Sequence, residues 1–309
     1  EISACLVGSE MCIRDRPQRV GSLRIGEPMA IIMDGKKFSS ELKVELSEET
    51  KRLKQDRGIT PTLALILVGG DSASELYVKK KAEACEDIGI RPILKILGQE
   101  TREEDLIKLV CNLNGDKTVH GIMVQLPLPL HINPNKVTST IALEKDVDGL
   151  NPASLGALMT GRECFAEAGA EASRELLRRS GIPFKDQHVV VAGAGEILGK
   201  PFAALAINEG ASVTICPSSV QRLEAYTRLA DILLVDLGRP RAISREMVKK
   251  GCAIIDAGNN RVEGKLLGDV DFDQVKDVVS AITPVPGGLG PMLIMMLMKN
   301  LLRAARGQT

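Results

Sequence analysis

The chain has 309 residues, room for about two domains, with 44% hydrophobic and 26% charged side chains, as in soluble globular proteins. Lys plus Arg and Asp plus Glu are both 40, and there is no Trp with only two Tyr and five Phe. Neither a global field nor stacking platforms favour nucleic acid, and no charge excess favours an anionic membrane surface. Seven scattered cysteines without a CxxC, three histidines, and no apolar run of the ~18 residues that a membrane span needs point to reduced thiols in a cytoplasm. They argue against a disulfide framework, a metal cluster or a membrane segment.

Residues 1–28 show neither helical nor strand periodicity. EISACLVGSEMCIRDR resembles a translated sequencing-adapter tail, so the stretch is expected to be a non-native or disordered leader, with an Arg-bearing targeting arm as the alternative. From Met29 a regular alternation begins. Strands are expected at 30–33, 63–69, 92–97 and 121–126, with helices at 39–54, 72–87, 102–113 and a last one ending near Leu143. Such alternation argues for right-handed βαβ units on a parallel sheet. The turn-rich LEKDVDGLNPASLG (143–156) reads as the boundary to a second unit. There a helix is expected at 171–180, a strand at 189–192, a helix at 197–208, and strands at 212–216, 231–235 and 253–256, making a second doubly wound sheet. ITPVPGGLGPM then leads into the apolar helix LIMMLMKNLLRAA, whose methionines read as core filling.

Five stretches carry candidate chemistry. In SASELYVKKKAEACEDIGI, Tyr77 and Lys81 stand four apart, so on a helix a phenol and an amine share one face just past a buried strand. A pocket lysine can carry protons because burial draws its pKa towards neutrality; the competing reading makes Lys79, Lys80 and Lys81 a solvated face. Gly193-Ala194-Gly195-Glu196-Ile197-Leu198-Gly199 lies between a strand and a helix, where glycines let a backbone approach a pyrophosphate. Its third glycine is one residue late for G-x-G-x-x-G, Glu196 would repel phosphate, and ICPSSV offers no acid for a ribose hydroxyl, so a plain tight turn is the alternative. KDVDG (145–149) carries Asp146 and Asp148 at i and i+2. In an extended segment they point together, at a metal or an amino-heterocycle; otherwise they cap a polar turn. Gln125 in VQLPLP ends a strand, where its amide orients a lysine or a ligand, or merely satisfies a loop. PVPGGLGP is dense enough in Pro and Gly to be a shaped loop.

In this order, YVxxK, VQLPLP, EKDVDGLNP, the glycine turn, GDVDF and ITPVPGGxGPM resemble the bifunctional methylenetetrahydrofolate dehydrogenase/methenyltetrahydrofolate cyclohydrolase family, from about Met29 to Ala305. The resemblance implies an α/β fold of two domains: a βαβ folate/catalytic domain (29–150), a Rossmann-like NAD(P)-binding domain (151–289), and a C-terminal helix (290–309) packing back on the first. It implies oxidation of 5,10-methylenetetrahydrofolate with NADP or NAD, then hydrolysis of the methenyl product to 10-formyltetrahydrofolate, in a cytoplasmic homodimer that takes a small-molecule folate and needs no metal. Lys81 would transfer the proton, Gln125 would orient it, Tyr77 would stack on the aminobenzoyl portion, and Asp148 would bond the pterin. Val124, Gln125 and Leu126, with Pro286, Gly287, Gly288 and Gly290, would shape the substrate side. Gly193, Ala194, Gly195, Ser218 and Asn259 would face the cofactor.

Departures from the family pattern gather on the cofactor side. Ala194 stands for the Arg of Gly-Arg-Ser, Glu167-Ala168-Gly169-Ala170 for Pro-Cys-Thr-Pro, and Pro217-Ser218 for His-Ser. Asp236 replaces a small residue, Asn259 an Ile, and Leu293 a Thr. A carboxylate beside a pyrophosphate is costly in a low-dielectric cleft, so weakened dinucleotide binding is expected, worst for NADP without the Arg. The alternatives are a cyclohydrolase that has lost hydride transfer and a non-catalytic folate-binding homologue. The retained Lys81 and Gln125 speak against the second.

Overall fold

A computed structural model of the chain describes residues 30–70 and 72–308; the leader read in 1–28 lies outside them. β1 (Ile31–Ile32) leads into α1 (Gly35–Arg57), which starts under the Asp34 carboxylate, an acceptor for the Lys37 N–H at 3.1 Å. β2 (Thr62–Val68) is buried at all seven positions, as a central strand covered on both faces must be. α2 (Ser72–Ile88), β3 (Arg91–Leu97), α3 (Glu103–Gly115) and β4 (Gly121–Val124) follow, and the first sheet is parallel with order β3-β2-β4. With β3 on one side of β2 and β4 on the other, the C-terminal ends of β2 and β4 frame a switch point, the ordinary ligand position of an open parallel sheet.

Past α4 (Pro134–Thr140) and a 3-10 turn (Leu143–Lys145) come α5 (Pro152–Met159) and α6 (Ala168–Arg179). The boundary stretch therefore holds a helix that its turn-rich composition hides. Asn151 caps α5 by accepting from the Ala153 N–H at 2.9 Å, and Pro152 takes a first-turn position that needs no N–H. α6 begins at Ala168 rather than Glu171 because the Glu167 side chain accepts from the Ala170 N–H at 2.8 Å, and Glu is not an ordinary capping residue.

β5 (His188–Ala192), α7 (Gly199–Asn208), β6 (Ser212–Cys216), α8 (Glu224–Thr227), β7 (Ile232–Val235) and β8 (Ala253–Asp256) build the second unit. A hairpin of β9 (Asn260–Val262) and β10 (Lys265–Leu267), α9 (Phe272–Val275), β11 (Ala281–Ile282) and α10 (Leu289–Gly307) complete the chain. The second sheet is parallel with order β1-β11-β8-β7-β5-β6. β1 thus joins the far sheet, pairing Ile31 with Ala281 instead of extending the sheet of β3, β2 and β4. A two-residue strand has no periodicity from which to read its partner. α10 lies against α1 and α6, and its Met292, Met295, Met296 and Met298 are buried in a core shared with α1, α2, α6 and α7. That core is continuous through both domains, and the methionines fill it as expected.

Candidate active site

The face of α2 that carries Val78, Ala82 and Cys85 is buried in the shared core and draws Lys81 inward, leaving it 6% exposed, while Lys79 and Lys80 stay in solvent. The solvated-face reading therefore holds for two lysines of the three. Lys81 Nζ donates to Gln125 Oε1 at 3.0 Å and lies 3.7 Å from Met123 Sδ. Gln125 extends the ladder past β4: its N–H donates to the Ile66 carbonyl at 2.8 Å, and its amide nitrogen donates to the Leu126 carbonyl at 2.6 Å. With its nitrogen so engaged, the amide can present only its oxygen to the lysine. Burial draws the Lys81 pKa down, against the fields of Asp148 and Glu167, which hold the proton on. An amine that releases its proton more readily than in water serves as base in one step and acid in the next.

The two aspartates of KDVDG do not converge. The segment turns rather than extends, with the Gly149 N–H donating to the Asp146 carbonyl at 3.0 Å. Asp146 points inward, accepting from the Leu150 N–H at 3.2 Å, the Asn151 N–H at 3.0 Å and the Ser154 hydroxyl at 2.6 Å; burial pushes its carboxyl up to about 6. Asp148 faces Lys81, whose charge partly offsets the rise that burial imposes on it. One carboxylate is a structural clasp and one belongs to the site, which replaces the shared metal or heterocycle reading. Neighbouring Lys145 is structural too: buried, it donates to the Leu113, Asn114 and Asp116 carbonyls at 3.0, 2.8 and 2.7 Å, closing the C-terminus of α3.

Tyr77, one turn before Lys81, is 41% exposed, and its Oη accepts from Asn259 Nδ2 of the other domain at 3.3 Å. Leu126 is half-buried beside Gln125. Val124, expected on the substrate side, puts its side chain in the core on the opposite face of the sheet from Met123, because side chains alternate along a strand. The PVPGG loop is pinned to the start of α1 by the Lys36 N–H, which donates to the Gly287 carbonyl at 3.1 Å. In that loop Gly288 is buried, Gly287 half-buried, and Pro286 and Gly290 exposed.

On the second sheet the switch point lies at the C-terminal ends of β5 and β7. Gly193 leaves β5 with φ +123°, and a Cβ there would lie 2.0 Å from the Asp236 carbonyl oxygen, so only glycine fits. Asp236 Oδ2 sits 3.6 Å from where a Cβ on Gly195 would be, which puts a carboxylate in the mouth of the turn. Burial, reinforced by Asp269, pushes that carboxyl up. Ala194 is half-buried; Gly195 and Glu196 are exposed, Glu196 pairing with Lys200 at 3.2 Å. Ser218 is exposed in the turn after β6, and Asn259 is engaged by Tyr77. The backbone fits a dinucleotide, since a glycine turn opens onto α7 at the crevice; the side chains add negative charge where phosphates would come.

Two residues escaped the sequence reading, and a third, Glu167, entered it only as a departure on the cofactor side. Asp269, within GDVDF, accepts from the Leu237, Gly238 and Arg239 N–H groups at 2.6, 3.0 and 2.9 Å and from Asn260 Nδ2 at 2.7 Å, fixing the loop that carries Asp236. Asn300 on α10 donates to the Val147 and Ala166 carbonyls at 2.9 and 3.2 Å; its signal was a lone amide in an apolar helix. Glu167 is 4% exposed and electrostatically coupled to Asp148 and Lys81, and its signal was a carboxylate opening an otherwise small-residue helix.

Residues 33–148 match the family described as tetrahydrofolate dehydrogenase/cyclohydrolase, catalytic domain, and residues 167–309 match its NAD(P)-binding domain. The chain is 48% identical over 278 residues to the bifunctional protein FolD of Exiguobacterium sibiricum, covering 90% of this chain and all of that one. It superimposes with a TM-score of 0.89 on the bifunctional methylenetetrahydrofolate dehydrogenase/cyclohydrolase of Campylobacter jejuni, at 41% identity over 91% of this chain and 100% of that chain. The Trypanosoma brucei enzyme, solved with NADP and an inhibitor, matches with a TM-score of 0.86 and 36% identity over 91% of this chain and 99% of that chain.

Proposed function

Because the chain belongs to the tetrahydrofolate dehydrogenase/cyclohydrolase family, we propose that Lys81 moves the proton in its folate chemistry. The enzyme oxidises 5,10-methylenetetrahydrofolate with NAD(P) and hydrolyses 5,10-methenyltetrahydrofolate to 10-formyltetrahydrofolate. NAD(P), held by the second domain, supplies the hydride acceptor. In hydrolysis the neutral Lys81 amine takes a proton from water as the new C–O bond forms and returns it to the ring nitrogen whose C–N bond breaks, while the remaining hydroxyl proton passes to solvent as the formyl C=O forms. Gln125 Oε1 aims the amine, Asp148 offers its carboxylate to the amino-heterocycle, and Tyr77 offers an aromatic face at the mouth of the cleft. Leu126 and the loop at Pro286, Gly287, Gly288 and Gly290 complete the substrate side. Gly193, Ala194, Gly195, Ser218 and Asn259 line the approach of the cofactor.

The observation that carries this reading is a nearly buried amine 3.0 Å from a fixed amide oxygen at the switch point of the first sheet. The residues around β5 and β7 bear on the affinity for dinucleotide and do not by themselves remove either activity. The Lys81–Gln125 pair opposes a non-catalytic role, since a simple binder needs no proton carrier. We place the protein in the cytoplasm, in keeping with five free cysteines among the described residues, and as a homodimer, for which β3 offers an exposed edge strand with Leu94 and Ile96 in solvent. Two assays test the function: formation of reduced nucleotide from methylenetetrahydrofolate, and decay of methenyltetrahydrofolate without nucleotide. Both are expected; decay no faster than the uncatalysed reaction would remove the hydrolase.

A further inference from the structure

Glu167 is a buried carboxylate with no role in the reactions above. Its backbone is locked against the segment that carries Asp148. Gly149 adopts φ +67°, and a Cβ there would lie 2.5 Å from the Glu167 nitrogen. Asn300 clamps both sides of the contact, donating to the carbonyls of Val147 and Ala166, the residues immediately before Asp148 and Glu167. The Glu167 side chain then folds over the start of α6, where the Ala170 N–H reaches its Oε2 at 2.8 Å.

We propose that Glu167 is a positioning residue of the proton-transfer centre: held beside Asp148, its carboxylate governs how tightly Lys81 keeps its proton. This rests on the assignment of Lys81 above and adds a member to the same site. The pocket contains two carboxylates, Asp148 and Glu167, for one ammonium. With all three ionised its net charge is −1, and in a low-dielectric cleft the cheaper state keeps a proton on one acid. Burial, with the fields of Asp148 and Asp236, pushes Glu167 up to about 8 against the opposing N–H groups of Gly169 and Ala170. Below that range Lys81 is held by Asp148 alone; above it, by both acids, which strengthens the amine's hold on its proton and leaves less of it neutral at a given pH. The charged groups facing the centre are Lys81 on α2, Asp148 with Asp146 behind it on the 145–149 turn, and Asp236 after β7. α10 contributes neutral Asn300, while Lys299 is committed to Glu175 at 3.7 Å.

Glu167→Gln separates charge from packing, since its amide oxygen can still accept from Ala170. The rising limb of the hydrolysis rate against pH, which reports Lys81 losing its proton, should move down by about one pH unit. Glu167→Asp, which keeps the charge, should leave the limb near its wild-type position. A limb unmoved in Glu167→Gln, with only thermal stability altered, would show a helix cap and nothing more, overturning the proposal. A second measurement needs no variant and no turnover. The enzyme is reductively methylated with 13C-formaldehyde, and the Lys81 methyl resonance is followed against pH in the wild type. An inflection near 8 besides the lysine's own is expected; a single inflection would overturn the proposal. If hydrolysis is absent but the second inflection is present, the assignment of the reaction fails and the coupling stands.

Discussion

The two switch points of this molecule have the same backbone logic and opposite electrostatics. At the end of β2 and β4 a buried cation, Lys81, has a fixed acceptor 3.0 Å away and a carboxylate, Asp148, facing it. At the end of β5 and β7 a half-buried carboxylate, Asp236, stands beside Gly195, and Glu196 next to it is exposed. Parallel strands that diverge from a central one make a crevice in both cases, and it is the charge placed at the rim that decides which ligand is welcome. The first half sets one buried amine between a fixed amide oxygen and a carboxylate. The second half asks an anionic cofactor to approach fixed negative charge.

The sharpest way to break this contrast is Lys81→Met, which removes the amine at the first crevice. Hydrolysis of methenyltetrahydrofolate should fall by about 10²- to 10⁴-fold while folate binding, followed by fluorescence titration, is largely kept. An undiminished rate would take Lys81 out of the mechanism. Next is Asp269→Ala, which orphans the donors of Leu237, Gly238, Arg239 and Asn260 together. At about 1 kcal/mol for each lost bond, unfolding in guanidinium should show a loss of roughly 3–4 kcal/mol. Little change would mean that this loop is not held by the clasp.

On α6 burial alone would push the Glu175 carboxyl up, but hydrogen bonds from Arg178 and Arg179 outweigh it and bring it to about 2. A depressed carboxyl stabilises the fold above its unfolded pKa of about 4.3, and this contribution is lost as pH falls towards 2. Glu175→Gln should therefore cost on the order of 2 kcal/mol at neutral pH and almost nothing near pH 2, read from denaturation at the two pH values. A cost that stays constant with pH would assign the effect to packing. The smallest effect falls on the second crevice: Asp236→Ala should tighten NAD binding by about tenfold through the loss of one nearby charge. Because the Asp236 carboxyl is pushed up, wild-type affinity should weaken as pH rises through its titration and the variant's should not; parallel pH dependences would clear Asp236 of the blame.

How far these halves could be read from the residues differs in the same direction as their charges. YVKKK gives a helical face by spacing, and burial of that face accounts for why Lys81 goes inward while Lys79 and Lys80 do not. VQLPLP and the glycine turn likewise mark strand ends that the backbone then occupies. KDVDG misleads because the extended geometry assumed for two alternate aspartates is replaced by a turn, and only then do Asp146 and Asp148 part. Val124 misleads in a simpler way, since motif membership says nothing about which face of a strand a side chain takes. Glu167, Asn300 and Asp269 act over separations of 19, 153 and 32 residues, on Asp148, Val147 and Leu237 respectively, and no local pattern encodes such contacts.

The crossing of β1 and α10 makes each half dependent on a distant piece of chain. The second sheet is edged by β1, from the start of the first stretch, and α10, the last element, packs on both α1 and α6. During synthesis on a ribosome, then, neither half can be finished when its own stretch has emerged. The segment that carries Asp148 stays unclamped until Asn300 arrives to tie Val147 to Ala166. Expressed as two separate fragments cut near residue 160, each piece would leave its partner's missing element as an exposed apolar gap. Covalent continuity through both crossings ties the crevice of the first sheet and that of the second to one shared core.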